Sequence, residues 1–149
     1  MRSINHSLTG ALIGLSVSEP AISLPVSFLS HYLLDAIPHS GFKDGDKAIG
    51  LRKFNILLII DALLCLGLVI WLIIAKPRNW LIAIICAFLA ASPDFFSLNK
   101  YIKYLKNEKW KPNIYSRFAK NIQWFEKPIG AVSETIWFIG SIVILAIYF

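Results

Sequence analysis

Residues 54–75 read FNILLIIDALLCLGLVIWLIIA, a stretch whose only charge is Asp61. At about 1.5 Å per residue, an apolar run of this length crosses a hydrocarbon core of about 30 Å as a helix. Two more stretches repeat the pattern. Residues 79–96 (NWLIAIICAFLAASPDFF) carry only Asp94, and residues 129–149 (IGAVSETIWFIGSIVILAIYF) carry only Glu134. The chain is 56% hydrophobic with a mean hydropathy of +0.61. That excludes an ordinary soluble domain and predicts an all-α, polytopic membrane helix bundle formed by residues 1–149 as a single membrane domain.

Working outward, residues 6–18 (HSLTGALIGLSVS) read as a short helix, and Pro20 starts a second one that runs to about residue 37. The first is too short to span comfortably. The pair is expected as an N-terminal helical hairpin, either re-entrant or a short helix beside a nearly full span. The order Arg2, an apolar run, then Ser18-Glu19-Pro20-Ala21 also has the layout of a secretory leader, but cleavage there would remove His6. An uncleaved hairpin is the better reading. Residues 40–53 (SGFKDGDKAIGLRK) form a polar, turn-rich loop, and Lys76-Pro77-Arg78 is a tight turn between spans. Cys65 and Cys86 both lie inside apolar spans and read as small core residues.

The net charge is +6, and the basic residues sit in the connections. With a hairpin and three spans, Arg2, Lys43, Lys47, Arg52, Lys53 and the basic residues of segment 97–128 fall on one side of the membrane. Only Lys76 and Arg78 fall on the other. The positive-inside rule then predicts a multi-pass plasma-membrane protein with a cytoplasmic N-terminus. In segment 97–128, Tyr101, Tyr104, Leu105, Trp110, Tyr115, Phe118, Trp124 and Phe125 interleave with Lys and Arg. Beside membrane spans, this pattern predicts an interfacial segment whose partners are membrane lipids, anionic headgroups among them. Nucleic acid, which also accepts such interleaving, is not expected here, and a solvated loop carrying topology signals remains the plain alternative. Trp71, Trp80 and Tyr148 fit an aromatic belt on the far side.

Polar residues inside the apolar segments carry the functional reading. In Ser30-His31-Tyr32-Leu33-Leu34-Asp35-Ala36-Ile37-Pro38-His39, His31 and Asp35 share a helix face, and His39 falls just beyond the helix-ending Pro38. His6 opens the first helix, Asp61 lies about 10 Å into the third, Asp94 ends the fourth and Glu134 starts the fifth. All seven therefore converge on one end of the bundle. Each charge at membrane depth costs about 2.5–3.5 kcal/mol, so several at one level call for a joint explanation. A divalent cation supplies it. Mixed imidazole and carboxylate ligands suit Zn²⁺, with Mn²⁺ or Fe²⁺ also fitting. Each residue also has a plainer reading. His6, Asp94 and Glu134 could be helix caps, Asp61 a hydrogen-bond partner between helices, and His39 a loop residue. Gly10 and Gly14 read as sites of close helix packing, as do Gly67, Gly130 and Gly140.

His6 with Thr9-Gly10, Ser30-His31-xxx-Asp35-xx-Pro38-His39 and Ser92-Pro93-Asp94 together resemble small bacterial membrane proteins related to the membrane-bound metal-dependent hydrolases. The likeness covers roughly the first 100 residues. The His-xxx-Asp helix is also similar to one element of zinc-dependent phospholipase C and the P1-type nucleases. The resemblance implies metal binding by His6, the His31/Asp35 pair and Asp94. The chain has three histidines and lacks the His-Arg-Gly-x-Thr-His motif typical of the larger membrane hydrolases, so hydrolysis is implied by the family alone.

The expected function is a metal-dependent membrane hydrolase acting on an amphipathic lipid phosphate ester at the cytoplasmic face. His6, His31, Asp35, His39 and Asp94 are the expected metal ligands. Asp61 or Glu134 is the expected general base. Two rivals stand beside it: an ion- or metal-handling or proton-linked transporter, and a non-catalytic structural protein whose polar cluster fixes helix register.

Overall fold

The computed structural model describes residues 1–40, 51–106 and 108–148. Most of the polar loop, with Lys43 and Lys47, and the side chain of Tyr104 lie outside the described residues. Among the described residues there is no strand, only one parallel bridge between His39 and Glu126. The helices are α1 (Ser3–Ser16), α2 (Pro20–Ala36), α3 (Leu51–Ala75), α4 (Trp80–Ala91), α5 (Leu98–Leu105), α6 (Ile114–Ile122) and α7 (Ala131–Ala146). Two 3₁₀ segments, Ser92–Ser97 and Pro128–Gly130, lead into α5 and α7.

Three continuous helical stretches are long and apolar enough to cross a membrane: Arg52–Ala75, Trp80–Lys103 and Pro128–Ala146. At 24, 24 and 19 residues they reach about 28–36 Å, enough for a hydrocarbon core. Their outward faces are apolar throughout, with Ile59 and Leu63 on α3, Phe88 on α4 and Ile136 and Val143 on α7 all exposed. Such a surface is suited to lipid rather than water. Sharp turns separate the elements where the sequence demands it. Pro20 sits in the first turn of α2, with the Glu19 carboxylate accepting from the Ala21 amide. Lys76 and Asn79 take positive φ to reverse the chain between α3 and α4.

The short helix α1 is the centre of the bundle rather than its edge. Ile4, Leu8, Ala11 and Leu15 recur at helical spacing and are buried against Leu68, Leu72, Ala83, Ala87 and Leu145 of three other helices. It also buries Asn5, His6, Ser7, Gly10 and Gly14. A Cβ on Gly10 would strike the Cys86 carbonyl, and one on Gly14 would lie 2.6 Å from the Ala83 Cα. Backbone contact with α4 thus requires glycine at both places. Gly130 is equally constrained by the His39 backbone. Gly67 and Gly140 differ from expectation, since a Cβ on either would meet nothing within 4 Å.

The amphipathic helices α5 and α6 lie between α4 and α7. Tyr32 of α2 stacks edge-on against Phe118 of α6 at 5.6 Å, and the Trp124 indole donates to the Ala36 carbonyl at 3.0 Å. These contacts hold the basic segment over the end of α2. At the opposite end Tyr148 meets Ser16 through their hydroxyls at 2.6 Å.

Gly10→Ala and Gly14→Ala should each destabilise the protein by about 1–3 kcal/mol through overpacking. Gly67→Ala and Gly140→Ala should stabilise it by up to about 1 kcal/mol through helix propensity. Thermal unfolding in detergent separates the two pairs.

Candidate metal centre

The polar end of the bundle is built on the first turn of α1. A helix start leaves amide N–H groups without intrahelical partners, and Arg2 at the cap position offers no side-chain bond. Neighbouring helices fill the gap. The two oxygens of Asp61, on α3, accept from the Ser3 amide at 2.9 Å and the Ile4 amide at 3.2 Å. Glu134, on α7, accepts from the Arg2 amide at 3.0 Å and from the Ser40 hydroxyl at 2.5 Å. Because these caps come from elsewhere in the chain, α1 begins at Ser3, three residues before the start expected from the sequence. His6 is therefore inside the helix rather than at its cap.

One turn in, His6 is fully buried and its ring stacks on that of His31, with centroids 4.0 Å apart. Neither nitrogen of His6 has a hydrogen-bond partner. Its Nε2 lies 3.3 Å from Asp35 Oδ1, close but not aligned for a bond. His31 Nδ1 is 2.9 Å from the Ala90 carbonyl oxygen. A carbonyl only accepts, so Nδ1 carries a proton. Nε2 lies 3.3 Å from Asp35 Oδ2 and 3.9 Å from Asp94 Oδ1.

The carboxylates are themselves held. Asp35 Oδ1 accepts from the Met1 ammonium in a buried ion pair at 2.6 Å, and Oδ2 from the Gln123 amide at 2.8 Å. Asp94 Oδ2 accepts from the Ser3 hydroxyl at 2.7 Å. Donor atoms of His6, His31 and Asp94 all lie within 4.8 Å of one another. Two imidazoles with open nitrogens and a carboxylate suit zinc, manganese or iron as ligands. Asp35, touching both rings, is positioned to orient them.

The structure thus brings His6, His31, Asp35 and Asp94 together. It does not bring His39 to them. His39 is buried, but its Nδ1 bonds the Ile37 carbonyl at 2.8 Å and its backbone pairs with Phe125 and Lys127. Asp61 and Glu134 lie at the same end but are occupied as caps. Three contributors had no sequence signal: Ser3, which holds Asp94; Gln123, which holds Asp35; and Tyr115, whose hydroxyl donates to the Pro93 carbonyl at 3.1 Å and steadies the turn bearing Asp94. Burial, the Tyr32 hydroxyl, and the Asp94 and Asp35 charges push the Tyr115 phenol above its ordinary range, keeping it a protonated donor.

Asp61→Ala should cost about 0.5–2 kcal/mol of stability, the usual loss for removing a helix cap. Thermal unfolding in detergent measures it. A variant with wild-type stability would exclude the capping role.

No protein-family model matches this chain, and no curated protein or solved structure matches it.

Proposed function

We propose that this protein is a metal-dependent membrane hydrolase whose substrate is an amphipathic lipid phosphate ester. The observation that carries the reading is the buried, stacked His6–His31 pair, with no hydrogen-bond partner for either nitrogen of His6 and with His31 Nε2 lying between the Asp35 and Asp94 carboxylates. The Met1 ammonium pairs with Asp35, and a cation among His6, His31 and Asp94 would compensate the remaining carboxylate. In this reading His6, His31 and Asp94 hold the metal, and Asp35 orients both imidazoles. Zinc is the preferred ion, with manganese or iron fitting the same donors. When bound, it supplies a Lewis acid and lowers the pKa of a coordinated water.

The access side follows from burial. His6, His31 and Asp35 are buried, whereas Asp94 is 35% exposed. Substrate therefore meets the site at Asp94. Arg2 and the bases of the segment after Asp94 lie at the same end, so the charge bias favours a cytoplasmic site and a cytoplasmic N-terminus. Asp61 and Glu134, expected as bases, serve in this reading to hold α1 and thereby His6. The same caps favour a second reading, in which the polar cluster is only a lock on helix register.

Elemental analysis of protein purified in detergent without chelators tests the first against the second. Hydrolysis predicts stoichiometric metal in the wild type, loss of metal in His31→Ala, and about 10–100-fold weaker binding in Asp35→Asn, as for other groups that orient a ligand. Chelation should then abolish release of phosphate from long-chain lipid phosphate esters, and metal add-back restore it. Folded wild-type protein that neither carries nor takes up metal would leave only the lock.

A further inference from the structure

Between α3 and α4 lies a cavity of about 870 Å³ that the metal reading does not use. The two helices are consecutive and joined by a tight turn, and the cavity opens between them. Ser3 and Ser7 of α1 contribute to the lining between them. On α3 the lining extends from Phe54 to Val69, about 22 Å of helix. Its deep part, toward the Lys76 turn, is hydrocarbon only: Leu66 and Val69 on one wall, Ile84 and Ile85 on the other. Its polar end carries Asp61, Asp94 and Lys100. The volume is that of a ligand site rather than a packing defect.

Two further observations say what fills it. The helices around it are those apolar enough to lie in a bilayer, where an apolar cleft is filled by hydrocarbon and not by water. Lys100, at its polar end, makes no ion pair among the described residues, and its Nζ lies 5.8 Å from the centre of the Trp110 ring. It is a cation available to a negative group at the level where spans give way to the basic segment. Asp94 lines this cavity and also belongs to the candidate metal cluster.

We infer that the groove between α3 and α4 binds one hydrocarbon chain of an anionic membrane lipid, tail toward Val69 and Ile84, with the headgroup phosphate at Lys100 beside Asp94. This extends the hydrolase reading by naming where its substrate lies. Chain binding itself needs neither metal nor turnover, so the two stand or fall separately.

The test is photolabelling in phosphatidylcholine vesicles doped with a phosphatidic acid that carries a diazirine on its acyl chain, with adducts mapped by mass spectrometry. Adducts should concentrate on Ala62, Leu66 and Ile84 over Ile136 and Val143, which face lipid on α7 without a groove. Ala62→Trp should remove that excess. Ala62 is exposed, so the larger side chain enters the groove without disturbing the core, and Leu66→Trp is a second variant of the same kind. Lys100→Glu should reduce groove labelling by phosphatidic acid at least about fivefold, the scale of one surface charge. It should leave labelling by the matching phosphatidylcholine probe unchanged. Equal adduct density on α7 and the groove, or a groove signal that survives both tryptophan variants, would overturn the assignment. Labelling indifferent to Lys100→Glu would overturn the headgroup position.

Discussion

Hydrocarbon offers no partner to the amide N–H groups at the start of a helix, and the rest of this fold follows from how those of α1 are satisfied. Asp61, Glu134 and Asp94 each come from a different stretch of the chain, and each bonds Arg2, Ser3 or Ile4. The exchange benefits both sides. The positive end of the helix dipole meets carboxylates that would be costly alone at that depth, and the carboxylates complete the first turn. The result fixes the height of α3, the 3₁₀ turn and α7 against one another. It also fixes His6, a single turn further on.

Much of this was legible in the sequence because it depended on local rules. Length and hydropathy located the three long helices, Pro20 and Pro38 marked the ends of α2, and the four-residue spacing of His31 and Asp35 put them on one face. Convergence of His6, His31, Asp35 and Asp94 followed from counting turns from each helix end. What escaped was relational. Asp61 and Glu134 look like any intramembrane acid until their partners are known, and those partners are backbone amides, which have no sequence signature. His39 is close to His31 and Asp35 in sequence. The extended chain after Ala36 instead carries it to the strand-like pairing with Phe125 and Lys127. Sequence pattern does not separate the glycines, yet among the described ones Gly10, Gly14 and Gly130 are crowded and Gly67 and Gly140 are not.

Asp94 links the two halves of the functional reading. Pro93 starts a 3₁₀ turn where α4 would otherwise continue, and that change of pitch leaves one Asp94 oxygen toward His31 and the other bonded to Ser3. Tyr115 holds the turn from the far side through the Pro93 carbonyl. A residue that is both the most exposed member of the cluster and part of the cavity wall makes the passage from lipid to candidate metal a matter of one side chain.

The central position of α1 also bears on biogenesis. At 14 residues it is about 21 Å long and too short to be a secure span on its own. The acids that bond its first-turn amides, on α3 and α7, lie tens of residues later in the chain. Its first turn is therefore completed only once those later helices have been made.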